Sequence, residues 1–224
     1  MTDDHAPGLI DFAPIRAGEL ELADLGRGLT PADLAVATRA MTVDLLDRLA
    51  GAEDADVTFV PDDPAAEDTF ATDPAEVGLA WTLSHVIVHV TASAEEAAFL
   101  AAELARGVAP HGRSRYEQPW PEVRTIAAVE HRLRESQGMI LATLEAWPDR
   151  PHLEVVYTTS RGSVRDAPAR FLGGLLHADD HRAQVSEILR QARAGRVARQ
   201  SDWPRGTPAR PAAAAGRPRS TRRR

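Results

Sequence analysis

The chain has 224 residues and a formal net charge of −7, with 43% hydrophobic and 26% charged residues, which is the balance of an ordinary globular protein. It contains no cysteine, so disulfides, thiolate metal ligands and cysteine nucleophiles are excluded and a cytoplasmic location is favoured. All 26 basic residues are arginine, which excludes a lysine Schiff base and the lysine of a phosphate-binding loop. We find no apolar run of membrane-spanning length and no secretion signal, and we therefore expect no membrane partner.

The charge is unevenly distributed along the chain. Residues 196–224 carry nine arginines and one acidic residue, whereas the remainder has a net charge of −15. Because this last segment is also rich in Pro, Ala and Gly, we predict a disordered tail. The tail is either a tether for a phosphate-bearing partner or a solvated extension of the acidic body. The acidic body opposes binding to nucleic acid, so such binding is expected only through the tail.

The N-terminal part predicts an arm followed by a first long helix. Residues 1–29 carry scattered prolines and glycines, and we expect an irregular arm with one short helix near residues 17–25. Thr30 and Pro31 together form a helix start, a capping residue followed by proline at the first helical position. Apolar residues then recur every three or four positions, which predicts a helix over residues 31–50.

A long loop and three further helical patterns follow. The acidic, proline-containing segment 52–75 predicts a loop with an extended piece at 57–60, and its length makes a lid one interpretation. Apolar periodicity predicts helices over residues 76–106, 121–146 and 168–194, with a weak strand candidate at 153–159. Four long amphipathic helices with substantial loops predict an all-α fold, a four-helix bundle over residues 30–195.

The histidines are the residues most able to carry chemistry. Two pairs have the spacing i, i+4: His85 with His89, and His177 with His181. Side chains at this spacing lie one helical turn apart on one face, where two imidazoles can reach the same metal ion. Random placement of eight histidines gives about 0.3 such pairs. Two pairs, both on predicted long helices, therefore favour a metal site.

The predicted faces select three of these histidines. His89 continues an inward-facing apolar row, and Gly173 and Gly174 lie one turn before His177, where they would let a neighbouring helix approach closely. We therefore predict that His89, His177 and His181 bind a divalent cation that keeps an open coordination position. The alternative is that these histidines are ordinary polar or hydrogen-bonded core residues. A di-iron carboxylate site is discounted, because it needs Glu-x-x-His motifs that the paired histidines lack.

Two segments resemble signatures of the DinB/YfiT-like superfamily. In WTLSHVIVHV (81–90) a Trp precedes by eight residues a histidine that binds metal in that family, and LHADDHRAQV (176–185) is similar to its H-x-x-x-H motif followed by Gln. The resemblance implies an up-down-down-up bundle in which His89, rather than His85, joins His177 and His181 in binding Zn²⁺ or Ni²⁺. His85 then lies behind the ligands, is a fourth ligand, or is exposed.

The resemblance also sets the functional expectations. Characterised members include transferases and isomerases that use a small-molecule thiol such as mycothiol or bacillithiol, and metal-dependent hydrolases. We therefore expect a metal-dependent transferase acting on an electrophilic substrate, or a hydrolase that uses water at the same site. The alternative, from a different class, is a non-catalytic metal-binding stress or interaction protein. Because members often dimerise, a homodimer is a further expectation.

Two other groups of residues are candidates for the reaction. The possible general bases are four helix-face carboxylates: Glu95, Glu96, Glu130 and Glu135. Glu96 is the best of them, but it would lie roughly 10 Å from the metal, and no catalytic residue is assigned. A second group lies in the connection before the third helix: Arg113, Arg115, Tyr116 and Trp120. These residues either bind an anionic molecule or hold the connection against the acidic body.

Overall fold

The protein is predominantly helical. The computed structural model describes residues 8–67, 74, 77–112, 114 and 118–201, with side-chain surroundings up to residue 198. In these ranges the elements are α1 (Ala13–Arg16), α2 (Leu22–Gly26), α3 (Pro31–Arg48), α4 (Asp54–Val57), α5 (Leu83–Ala105), a 3₁₀ turn (Trp120–Glu122), α6 (Ile126–Glu145), β1 (Tyr157–Thr158), β2 (Val164–Arg165) and α7 (Ala167–Ser201). The all-α class predicted from the sequence is confirmed.

Threonine caps set where the long helices begin. The hydroxyl of Thr82 accepts a hydrogen bond from the backbone N–H of His85, and Thr125 caps α6 in the same way. The predicted starts at residues 76 and 121 are therefore too early, because a threonine side chain at the cap satisfies N–H groups that the helix itself leaves open. The first long helix has the predicted cap, in which Thr30 and Asp33 bond reciprocally.

Several shorter elements differ from the expectations. The N-terminal arm contains two short helices, α1 and α2, in place of one. The segment 57–60 forms no strand: a capping box of Glu53 and Asp56 starts the one-turn helix α4, Val57 ends it, and Thr58 is not extended. The strand candidate at 153–159 narrows to β1, which pairs antiparallel with β2, a strand that the sequence did not predict. The last helix continues to Ser201, beyond the predicted end at 194, and residues 202–224 of the predicted tail lie outside the described residues.

The long helices surround one apolar core, to which all four contribute. α5 packs against α6 and α7, and α3 packs against the same two helices. α5 and α7 run antiparallel, because Ala97 of α5 meets Gly174 while the earlier His89 meets His177. A Cβ on Gly174 would lie 2.8 Å from the Cβ of Ala97, so the close approach predicted from this glycine is confirmed.

In the described part of the chain, no helix combines the length and the apolar character that crossing a membrane requires.

Candidate metal centre

Three histidines that are far apart in the sequence meet between α5 and α7. Ring nitrogens of His89, His177 and His181, one from each, all lie within 4.8 Å of one another. The Nε2 atoms of His89 and His177 are 2.8 Å apart, and each pair of rings meets edge to face with centroids 4.7 to 5.4 Å apart. The structure thus brings together the three histidines that the sequence selected.

The geometry of these nitrogens fits a small divalent cation. Tetrahedral Zn²⁺ with Zn–N bonds of 2.0–2.1 Å places its ligand nitrogens about 3.3 Å apart. The 2.8 Å between the two Nε2 atoms is slightly shorter than this value and the 4.8 Å limit for all three nitrogens is wider, so the observed spacings bracket it. Imidazole ligands suit several transition metals, Zn, Cu, Fe and Ni among them, so the cluster could hold such an ion.

Gln184 fixes the tautomer of His181. Nδ1 of His181 lies 2.7 Å from Oε1 of Gln184, and because an amide oxygen only accepts hydrogen bonds, the proton of the neutral ring resides on Nδ1. Nε2 is then left with a lone pair directed away from the amide. A second hydrogen bond of this kind is the usual device that orients a metal-binding histidine. The sequence motif contained Gln184, but its role was not apparent before the structure.

Burial also keeps His181 in the form that binds metal. Removal of the ring from water lowers the pKa of His181; the hydrogen bond to Gln184 and the charge of Asp180 oppose this effect, whereas a charge on His89 adds to it. The net shift is downward, so the neutral imidazole prevails at neutral pH. Metal binding requires this neutral form, because a protonated ring has no lone pair to share.

A column of four stacked rings covers one side of the centre. His181 stacks on Trp81, Trp81 on His85, and His85 on Trp120, with centroid separations of 5.8, 4.3 and 4.7 Å and interplanar angles of 16°, 23° and 4°. Trp81 also touches the ring of His89. His85 is only 8% exposed, so it is not the surface residue that one alternative proposed. It lies behind Trp81, outside the group of three that could share an ion.

Ion pairs join α7, near the histidines, to α3 and to the N-terminal arm. Asp44 of α3 accepts hydrogen bonds from Arg182 and Arg48, and Arg182 also pairs with Asp179. Arg16 of the N-terminal arm reaches the same Asp179. Burial alone would raise the pKa of Asp44, but the two arginines together outweigh it and hold the pKa below its ordinary value. The turn that carries His177 and His181 is thus fixed to α3 and to the arm.

The four carboxylates considered as general bases are all engaged elsewhere. Oε1 of Glu96, the best placed of them in the sequence, accepts a hydrogen bond from the backbone N–H of Ser114 at 2.6 Å. The others pair with arginines: Glu95 with Arg132 at 2.7 Å, Glu130 with Arg134 at 2.9 Å, and Glu135 with Arg132 at 3.7 Å. These contacts support leaving all four unassigned.

The anion-binding cluster expected before the third helix falls mostly outside the described residues. Arg113, Arg115 and Tyr116 are not described. Trp120 is described, and its ring stacks on His85. Its place is therefore in the ring column beside the histidine centre.

A cavity in the bundle core next to the histidines is too small for a substrate. Its volume is about 30 Å³, whereas sites for small molecules usually span 300–1,000 Å³. Val90 and Ala178, which follow His89 and His177 in the sequence, contribute to its lining. The three histidines are only partly buried, so their rings are open to solvent on a side other than this cavity.

Comparison with known families assigns the chain. Residues 34–185, about two thirds of the sequence, match the model of the DinB superfamily. The chain belongs to the DinB superfamily. The match includes both histidine segments. It covers α5 and α6 completely, α3 except for its first three residues, and α7 up to residue 185. Searches of curated proteins and of solved structures gave no match to this chain.

Proposed function

We propose that this DinB-superfamily protein binds one divalent cation, Zn²⁺ or Ni²⁺, through His89, His177 and His181. The observation that carries the proposal is the convergence of three imidazole nitrogens from two helices within 4.8 Å. The hydrogen bond from His181 to Gln184 supports it, because it sets the tautomer that a ligand needs. The up-down-down-up arrangement typical of the family is part of the same proposal, and the antiparallel pairing of α5 and α7 agrees with it.

The activity we propose is transfer of a small-molecule thiol to an electrophile, with hydrolysis at the same centre as a variant. A bound cation with an open position would lower the pKa of a thiol or water and so supply a nucleophile at neutral pH. The chain itself has no cysteine, so the thiol is a separate molecule such as mycothiol or bacillithiol. The protein residues hold the cation, orient the rings and, through the Trp81 side of the ring column, keep water from one face.

A second candidate is a non-catalytic metal-binding stress or interaction protein. The observation that favours it is the engagement of Glu95, Glu96, Glu130 and Glu135 with other groups. Each of these four carboxylates has a partner other than the three histidines. A transferase needs no such base if the cation alone acidifies the thiol, so the two candidates differ in a measurable way.

Turnover assays separate these functions. Zinc- and nickel-loaded protein is assayed with chlorodinitrobenzene and with p-nitrophenyl acetate, each with and without mycothiol or bacillithiol. Thiol-dependent turnover that disappears on chelation and returns with metal supports the transferase. Ester cleavage without thiol supports the hydrolase. Stoichiometric metal without turnover in any arm would contradict both enzyme proposals and favour the second candidate.

A matched pair of variants guards against contaminating activity. His131 is exposed on α6, away from the group of three, so His131→Ala should retain the turnover of the parent protein. The double substitution His177→Ala and His181→Ala should lose it. Equal loss in both variants would argue that the measured turnover does not belong to the centre.

A further inference from the structure

Arg165, the last residue of β2, is a half-buried cation that has no counter-ion among the described residues. Its buried Nε has no hydrogen-bond acceptor, and no carboxylate in the described chain lies at ion-pair distance from its guanidinium. Burial lowers the pKa of Arg165, while Tyr157 and Glu21 counteract this only through longer-range charge. Half-buried charges normally have a partner, because removing them from water is unfavourable. The guanidinium therefore has hydrogen-bonding capacity that the described residues leave unused.

Other buried or half-buried arginines of the fold have a partner for their charge. Arg132, whose buried Nε also lacks an acceptor, pairs with Glu95, and Arg182 pairs with Asp44 and Asp179. Arg170, only five residues beyond Arg165, lies 4.5 Å over the ring of Tyr157. The exception at Arg165 is therefore a local feature of the hairpin and not a general property of this arginine-rich chain.

The position of the Arg165 guanidinium relates it to the histidine centre. A Cβ built on Gly173 would lie 2.6 Å from Nη1 of Arg165, so the guanidinium occupies the space that any other residue at 173 would fill. Gly173, His177 and His181 are spaced at i, i+4 and i+8 and lie on one face of α7. Side chains one turn apart have Cβ atoms about 6 Å apart. The guanidinium is thus within about 9 Å of the Cβ of His177.

Resting on the function proposed above, we propose that Arg165 binds the carboxylate of a small molecule held at the histidine centre. The planar guanidinium fork matches a carboxylate with two parallel hydrogen bonds. The notch at Gly173 holds this fork one turn from the ligand His177. The centre would thereby select small molecules that carry an anionic group a few bonds from the atom that meets the cation.

The test uses cobalt as a coloured substitute for the resident cation and simple thiols as probes. Co²⁺-loaded full-length protein is titrated with mercaptopropionate and mercaptohexanoate, and with the neutral mercaptopropanol and mercaptohexanol of matched length. The sulfur-to-cobalt charge-transfer band reports binding of each thiol. We expect at least one carboxylate to bind about tenfold more tightly than its neutral counterpart, the effect of a charge-assisted pair.

Variants assign the preference to Arg165. Arg165→Met should bring the carboxylate and the alcohol to equal affinity, and Arg165→Lys should keep part of the preference because the charge remains. Arg161, exposed in the same hairpin, provides the control, and Arg161→Met should bind like the parent protein. A preference that survives in Arg165→Met, or that Arg161→Met loses equally, would overturn the assignment. Circular dichroism verifies that each variant is folded.

A second arm asks which molecule carries the carboxylate. Hexanoate, which has no sulfur, is added to cobalt protein already saturated with mercaptopropanol. A shift of the band that depends on Arg165 places the carboxylate on the second reactant, whereas a preference confined to the mercaptocarboxylates places it on the thiol. Either result supports the site. If cobalt does not bind, the metal centre and the site both fail; if it binds and neither arm depends on Arg165, only the site fails.

Discussion

The interface between α5 and α7 has two parts of opposite character. In one part Ala94 and Ala97 pack against Gly174, and a Cβ on that glycine would lie 3.1 Å from the Cα of Ala94. In the other part, one turn along α7, His177 meets His89 across the same interface. We call them the small-residue part and the histidine part. The small-residue part is closely packed and has no polar side chain among these three residues. The histidine part is polar and only partly buried.

The difference shows how close packing serves the site. Metal–nitrogen bonds are about 2 Å long, so imidazole rings from two helices can share one cation only if the helix axes lie near each other. The small-residue part allows that approach, because backbone and methyl groups meet there without long side chains. The histidine part then needs other contacts to fix it, and it has them in the Asp44–Arg182 ion pairs and the ring column. Mutations in each part should therefore have different consequences.

Gly174→Ala is the strongest test of the small-residue part. The added methyl group meets Ala97 and the backbone of Ala94, neither of which can move away freely. Overpacking of this kind costs up to about 3 kcal/mol, and the better helix propensity of alanine offsets about 1 kcal/mol. We expect unfolding in urea to show a loss of about 2 kcal/mol. Because the helices are forced apart, metal affinity should fall at least tenfold in competition with a chelating dye.

Gly138→Ala on α6 provides the matched control. Nothing lies within 4 Å of the Cβ that this change would add, so only the helix propensity term remains. We expect a gain in the free energy of unfolding of about 0.5–1 kcal/mol and unchanged metal affinity. Opposite signs for the two glycines support the comparison. A loss at position 138 as large as that at 174 would show that helix packing at Gly174 is not the cause.

Asp44→Asn tests the ion pairs that fix the histidine part. The side chain of Asp44 is only 13% exposed, and the change leaves Arg182 and Arg48 without their shared anion. We expect a loss of about 1.5 kcal/mol in the free energy of unfolding at pH 7. Asp47→Asn, at an exposed position of the same helix, should stay within about 0.5 kcal/mol of the parent protein.

The stabilising effect of the Asp44 charge should depend on pH in a defined direction. The pKa of Asp44 is lower in the folded protein than its ordinary value, so its contribution is fully present above pH 4 and is lost as the pH falls through the folded pKa. The stability difference between the parent protein and Asp44→Asn should therefore shrink as the pH is lowered below about 4. A difference that stays constant over this range would mean that the Asp44 charge is not responsible.

Gln184→Leu should have the smallest effect of these substitutions, and the effect should be confined to the histidine part. Leucine has no oxygen to accept the hydrogen bond from Nδ1–H of His181, so the ring is free to change tautomer and orientation. Loss of such a supporting hydrogen bond typically weakens metal binding 10- to 100-fold, and we expect about tenfold, with unchanged stability of the metal-free protein. Gln184→Glu keeps an acceptor oxygen and should retain affinity. Equal weakening in both variants would contradict the role of the hydrogen bond.

The sequence predicted the parts of the molecule that depend on local spacing. Apolar periodicity gave the four long helices, and the i, i+4 pairs with the inward face of His89 gave the three histidines that meet in the fold. The helices α5 and α6 begin several residues later than predicted, because the apolar periodicity extends beyond the caps at Thr82 and Thr125. These differences are local, because a capping threonine is itself visible in the sequence.

Other features depend on contacts that sequence spacing does not encode. Trp120 lies 35 residues after His85 in the chain, and only packing of the 3₁₀ turn against α5 makes the two rings stack. The position of Arg165 beside Gly173 likewise depends on how the β-hairpin folds back onto α7. For His181, the partner Gln184 was visible in the motif, but the direction of its amide was not. Long-range side-chain contacts of this kind require the structure.

The central claim is that three imidazoles share one divalent cation, and elemental analysis tests it most directly. Protein purified without chelator and dialysed against metal-free buffer is compared with the double variant His177→Ala and His181→Ala and with the control His131→Ala. The account predicts about one Zn²⁺ or Ni²⁺ per chain in the parent protein and the control, and none in the double variant. Full metal content in the double variant, or none in the parent protein after incubation with Zn²⁺ or Ni²⁺, would contradict the account.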